Sequence, residues 1–282
     1  MEYAIQTDPQ YGRLLWLTGN GAKLAVALDF GIRILHAGCA GMENLLYQQS
    51  ADLSDGYFDE NGWRLYGGHR LWAAPESELS TTADNIPIHW SKADNSILLW
   101  EAPCPQTGLQ KFLKIAFLED GYIRLEHRLL NISDRPICCA SWGITSLAPG
   151  GNAAVDFSRP QSACLHPQRS ISLWGDSSIS DPRLTFTTDQ LKAAFQPLPN
   201  TCKIGLYCPK GLAVYENKSQ RFTLRFAPET MEQLPDGGCN FELFLCPHFM
   251  EFEALGIKKH LQPGENTCHW ELWKFEKKEN GL

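Results

Sequence analysis

Tyr66-Gly67-Gly68-His69-Arg70-Leu71-Trp72-Ala73-Ala74-Pro75-Glu76 gathers a histidine, an arginine, a tryptophan and a glutamate directly after two adjacent glycines. Paired glycines let a backbone come close to its neighbours. The alternation that follows predicts an extended segment, with His69 and Leu71 on one side and Arg70 and Trp72 on the other. A titratable imidazole beside a cation and a large ring is the material of a site. The same residues also suit a loop in which His69 and Arg70 cap carbonyls while Trp72 fills the core.

The extended habit continues in both directions. Short runs rich in β-branched, aromatic and Leu residues recur between Gly, Pro, Asn and Asp, and few windows carry a helical period. Strands are predicted at Arg13–Leu17, Leu24–Leu28, Arg33–His36, His89–Trp90, Ser96–Trp100, Gln110–Phe117, Tyr122–Leu130 and Ile137–Ser146. Further ones are predicted at Cys202–Cys208, Gly211–Glu216, Gln220–Phe226, Asn240–Leu245, Phe249–Leu255 and Thr267–Phe275. Turn residues at Asp120-Gly121, Pro209-Lys210-Gly211, Asp236-Gly237-Gly238 and Pro263-Gly264-Glu265 separate several of them. Only Thr187–Phe195 and Met42–Asp52 suit short helices. No composition break or repeat divides the chain, so residues 1–282 are expected to form one all-β domain, with Ser158–Pro182 an excursion over one end.

A net charge of -7 without a run of basic residues argues against nucleic acid or an anionic membrane as partner. No apolar run approaches the roughly 18 residues of a membrane span, and the N-terminal residues lack the pattern of a secretion signal, so the expected location is cytoplasmic. The 10 cysteines are scattered without CxxC spacing and are expected to be reduced and mostly buried. Segments such as Cys246-Pro247-His248 lack a second spaced ligand pair, so no metal and no cofactor is expected from spacing. The 9 tryptophans are more than a core of this size requires, and suit stacking surfaces or a wide β core.

Phe249-Met250-Glu251-Phe252-Glu253-Ala254-Leu255 is the second candidate segment. In a strand Glu251 and Glu253 share the face opposite Met250, Phe252 and Ala254. Lining a cleft, such a pair would repel and desolvate one another, raising at least one pKa into the range of a general acid or base; on a solvent edge they would be ordinary polar residues. Arg33 sits among apolar residues, where a charge needs a partner or solvent. His127 and His269, each beside charged or polar neighbours in a strand, read as solvent-facing.

Four places together resemble the galactose mutarotase-like superfamily of aldose 1-epimerase relatives. They are Gly31-Ile32-Arg33-Ile34-Leu35 with Asn44-Leu45-Leu46; Gly67 to Trp72 with Ala74-Pro75-Glu76; Asn131 to Leu147; and Phe249 to Leu255 followed by Leu261 to Glu265 and His269 to Trp273. They span nearly the whole chain in order, and each is weak alone. The resemblance implies a large, mostly antiparallel β-supersandwich with few short helices, and a small carbohydrate as ligand. It implies a general base in Met250–Leu255, with Glu253 the first choice and Glu251 the second. The family's acid is a histidine in a strand after an Asn-containing turn; here Asn131-Ile132-Ser133-Asp134 leads into Cys139 to Thr145, which holds none. His69 is then the expected proton donor, Arg33 and Arg70 the donors to hydroxyls, and Trp72 or Trp142 the apolar platform. Two functions remain open, anomer interconversion by Glu253 and His69, and carbohydrate recognition without turnover. An anionic sugar held by Arg33, Arg70 and Lys203 is a third reading.

Overall fold

The computed structural model describes residues 1–49, 64–77, 82–159, 165, 168–217 and 219–278. In chain order the strands are β1 (Glu2–Asp8), β2 (Gly12–Gly19), β3 (Ala22–Ala27), β4 (Arg33–Cys39), β5 (His69–Ala74), β6 (His89–Ala93), β7 (Ser96–Trp100), β8 (Leu109–Phe117), β9 (Ile123–Asn131), β10 (Ile137–Leu147) and β11 (Asn152–Asp156). There follow β12 (Ile171–Leu173), β13 (Leu184–Phe186), β14 (Gln190–Ala194), β15 (Cys202–Leu206), β16 (Leu212–Asn217), β17 (Gln220–Phe226), β18 (Phe241–Leu245), β19 (Met250–Leu255), β20 (Lys259–Leu261) and β21 (Asn266–Lys277).

They form two large antiparallel sheets. The first runs β1-β2-β3-β4-β5-β10-β19-β18-β15-β12, with β20 pairing the start of β10; the second runs β13-β14-β11-β16-β17-β21-β9-β8-β7-β6. Strands such as β9 and β21 bury every second residue, and one apolar cluster extending from Leu15 to Phe275 draws on both sheets. The all-β expectation holds, and each of the fourteen predicted strands is present with its ends shifted by a few residues at most.

The Thr187–Phe195 helix is not formed. Gln190–Ala194 is a strand that pairs β11 and β13, burying Leu191 and Ala193 alternately. Thr187 closes the turn before it, its Oγ1 accepting from the Gln190 amide at 3.0 Å. The period of two in Leu191 and Ala193 outweighed a composition suited to a helix. Residues 42–49 are likewise not helical, and the remainder of the Met42–Asp52 expectation lies outside the described residues. The Ser158–Pro182 segment, described in part, contributes β12 to the edge of the first sheet. Among the described residues the one helical turn is Met231–Gln233, and no helix is long and apolar enough to cross a membrane. Six of the nine described cysteines are buried and none is disulfide-bonded; Cys164 lies outside the described residues.

The glycine pair behaves as its sequence implies. Gly67 and Gly68 have φ of +77° and +74°, and a Cβ on either would overlap the Tyr47 or Ile34 carbonyl oxygen. This close passage leads the chain into β5 with its side-chain alternation in register.

His36 on β4 meets the Trp16 ring edge-on at 5.2 Å, and its buried Nε2 has no hydrogen-bond partner among the described residues. Burial, helped by Lys23, pushes its pKa down to about 4. As pH falls below the unfolded value of about 6.5, the unfolded chain takes up a proton that the folded one refuses, so stability falls toward pH 4. His36→Leu should therefore flatten the pH dependence of the denaturant midpoint, retaining about 2 kcal/mol more than wild type at pH 4.5 relative to pH 7. Parallel curves for the two proteins would refute the assignment.

Candidate functional site

The centre of the first sheet presents two faces of different chemistry, and the register states which residue lies on which. On one face a cross-strand row runs Arg33, Arg70, Ile144, Glu253, Glu242 across β4, β5, β10, β19 and β18. Beside it, Trp72 pairs Trp142, which pairs Leu255. On its other flank Ser146 pairs Glu251, which pairs Phe244, which pairs Lys203 of β15. Arg70, Trp72, Trp142, Glu251 and Glu253 thus come together as the sequence implies, joined by Glu242 and Lys203.

This face is dry and charged. Glu253 and Glu242 are each 1% exposed, and Lys203 Nζ bridges them at 2.9 and 2.8 Å. The ammonium lies 4.6 Å from the Trp142 ring and 4.9 Å from Trp174, which follows β12. Burial opposes its charge, but Glu253 and Glu242 outweigh this and raise the Lys203 pKa. Burial drives Glu242 well above the usual carboxyl range despite Lys203. It also raises Glu251, against the attraction of Arg70, while Ser146 Oγ donates to Glu251 Oε1 at 2.7 Å. Trp142 Nε1 and Glu242 Oε1 are buried without hydrogen-bond partners among the described residues. Arg70 lies 4.9 Å over the Trp72 ring.

Arg33 is placed differently from expectation. Its side chain is 1% exposed and its Nη2 donates to both oxygens of Asp84, at 3.0 and 3.1 Å. It supports the floor of the face and is already neutralised.

His69 faces the other way. Successive strand residues point to opposite faces, so His69 is separated by the sheet from Arg70 and Glu253. The expected pairing of His69 as acid with Glu253 as base across one cleft is therefore corrected: the two groups look out from opposite sides. The strands β10, β15, β18 and β19 contain no histidine, and His36 of β4 packs on Trp16.

On the interior side His69 joins a buried cluster drawn from both sheets. Its Nε2 lies 2.7 Å from His127 Nε2 of β9, and its Nδ1 is hydrogen-bonded to Thr145 Oγ1 at 2.9 Å. Glu271 Oε1 of β21 lies 3.4 Å from His269 Nε2 of the same strand and 4.0 Å from His127 Nε2. His269 Nδ1 bonds Ser141 Oγ at 2.8 Å, and Trp273 Nε1 donates to Glu271 Oε2 at 2.7 Å. The His127 and His269 rings stack at 4.3 Å and 4°. Burial lowers His69 to about 4 and His127 well below its ordinary value. Burial alone would raise Glu271, but the imidazoles outweigh it and hold the carboxyl down to about 2.

His127 and His269 are thus not solvent-facing, as the charged neighbours of His127 and the setting of His269 before Trp270 suggested; they are 0% and 6% exposed. The signal was present in the inward register of Ile123, Leu125, His127, Leu129 and of Thr267, His269, Glu271, Trp273. Polar residues that share a register with invariably buried ones are buried too.

No protein-family model matches the chain, and no curated protein matches its sequence. Solved structures do. A galactose mutarotase-like protein from Lactobacillus casei superposes with a TM-score of 0.59 at 10% identity, over 93% of this chain and 100% of that one. The chain has the galactose mutarotase-like fold. An aldose 1-epimerase candidate from Escherichia coli gives a TM-score of 0.62 at 12% identity, covering 98% of this chain and 100% of its own. A galactose mutarotase-like protein from Clostridium acetobutylicum gives 0.59 at 10% identity, with 98% and 99% covered. On this fold, the face of Arg70, Trp72 and Glu253 brings together aromatic surface, cations and carboxyl groups.

Proposed function

We propose that the protein binds a neutral carbohydrate on the Arg70, Trp72, Trp142, Glu251 and Glu253 face and belongs, in kind, with the aldose 1-epimerases. The observation that carries this reading is a buried indole N–H of Trp142 and a buried carboxyl oxygen of Glu242, both without partners among the described residues, on two side chains that Lys203 Nζ approaches. A pyranose has C–H on its faces and hydroxyls at its rim, matching an indole platform bordered by such groups. Arg33 is neutralised by Asp84, and Lys203 by two glutamates, which favours a neutral aldose over a sugar acid or phosphate.

The chemistry proposed is anomer interconversion. Glu253 removes the O1 proton and Glu251, whose carboxyl pKa burial raises, protonates the ring oxygen as the C1–O5 bond breaks. Rotation of the aldehyde and reclosure return both protons. Lys203, its pKa raised, is a poor donor at neutral pH. A second reading, recognition without turnover, is favoured by the 2.9 Å ion pair that engages Glu253.

Magnetisation-exchange NMR on a panel of aldoses decides between them. For one sugar, exchange between anomers should be accelerated, and Glu253→Gln should reduce that acceleration by about 10²–10⁴-fold. Saturable shifts without acceleration would select the second reading. Neither shift nor acceleration for any aldose would reject the carbohydrate assignment.

A further inference from the structure

We infer that His69, His127 and Glu271 form a binding site for one divalent transition-metal ion of the zinc class, clamping the two sheets together at their centre. The inference is independent of the proposed sugar chemistry, because the cluster faces the interior and the sugar face lies across the sheet.

Its first support is convergence. One ligand atom each from His69, His127 and Glu271 falls within 4.8 Å of the others, and His269 Nε2 lies 3.4 Å from the same Glu271 oxygen. The separations of 2.7 and 4.0 Å among these ligand atoms bracket the edge of about 3.3 Å expected of a tetrahedron with zinc–nitrogen bonds of about 2.0–2.1 Å. Two imidazoles and a carboxylate supply three ligands, and His269 stands beside the carboxylate as its hydrogen-bond partner.

The second support is the outer ring of hydrogen bonds. Metal-bound histidines hold the distal ring nitrogen on an oxygen, which fixes the tautomer and aims the other nitrogen at the ion. Thr145 Oγ1 stands in that position for His69, while His269 Nε2 and Trp273 Nε1 orient the two oxygens of Glu271. His127 is held by its stacking on His269.

The third is charge. Glu271 is 0% exposed, and among the described residues its ion-pair partners are histidines only. A buried carboxylate needs a cation, and a divalent ion supplies one while also separating the two Nε2 atoms that otherwise require a shared proton. Sequence spacing did not reveal the set because β5, β9 and β21 contribute its members from distant positions.

Because the cluster is sealed, the ion is expected to enter during folding. The test is elemental analysis of full-length protein produced without a metal-affinity tag, followed by unfolding in chelator and refolding with Zn²⁺, with Co²⁺, or with no metal. About one equivalent per chain is expected, falling below about a tenth in Glu271→Gln and His127→Gln refolded in parallel. Refolding with Co²⁺ should give the visible absorption of protein-bound cobalt, a readout on wild type that does not depend on the variants folding. Wild type that refolds equally well without metal and takes up neither ion would overturn the inference, leaving a shared proton as the neutralising charge. One equivalent retained by both variants would place the ion elsewhere and overturn it equally.

Discussion

Lys203→Met is expected to destabilise the protein by about 3–5 kcal/mol, the range for removing one member of a buried ion pair. Glu242 and Glu253 are cross-strand neighbours, each 1% exposed, and the ammonium that bridges them is their salt-bridge partner among the described residues. Without it two carboxylates face one another in a dry site. At least one must protonate, so the folded-state pKa of Glu242, already raised by burial, rises further above the unfolded value. Stability linked to a raised carboxyl pKa is present below the unfolded value of about 4.5 and lost as pH rises through the folded value. The deficit should accordingly grow from pH 5 to pH 8. Chemical denaturation across that range measures it, and adding Glu242→Gln should restore at least about 1 kcal/mol at pH 8 by removing the repulsion. A Lys203→Met protein as stable as wild type at pH 8 would mean that the bridge does not hold this face together.

Gly143→Ala should cost about 2–3 kcal/mol although it adds a single methyl group, as overpacking does in a rigid core. Gly143 lies on β10 between Leu71 and Ala254, facing the second sheet. A Cβ there would overlap Glu271 Oε1 and come within 3.2 Å of His269 Nε2. Neither group can withdraw easily, since Trp273 holds the carboxylate and Ser141 the imidazole. In a Glu271→Ala background the obstructing oxygen is gone, and the same Gly143→Ala change should cost at least about 1 kcal/mol less. Equal costs in both backgrounds, read from denaturant midpoints, would show that the glycine is needed for another reason.

The fold class was legible from residue alternation and turn chemistry, because the central strands, such as β9 and β21, are half or wholly buried and their period of two is imposed by that burial. The site was legible in part. Arg70, Trp72, Trp142, Glu251 and Glu253 were singled out from alternation within β5 and β19 and from family resemblance, and the register sets them on one face. Glu242 and Trp174 were not, since nothing local distinguishes Glu242 in Phe241-Glu242-Leu243 from a solvent-facing strand residue.

His69 marks the division between the two levels. Alternation alone placed it opposite Arg70, and that relation within a single strand was already fixed by backbone stereochemistry. Which side of β5 would become the interior depends on how β9 and β21 pack across from it, and that is a property of the assembled sheets. Alternation is a local consequence of extended backbone, so residues 69 to 74 carry it by themselves. The meeting of His69 with His127 and Glu271, and of Lys203 with Glu242 and Glu253, joins groups from separate strands whose burial, charge and protonation are decided only when the two sheets close.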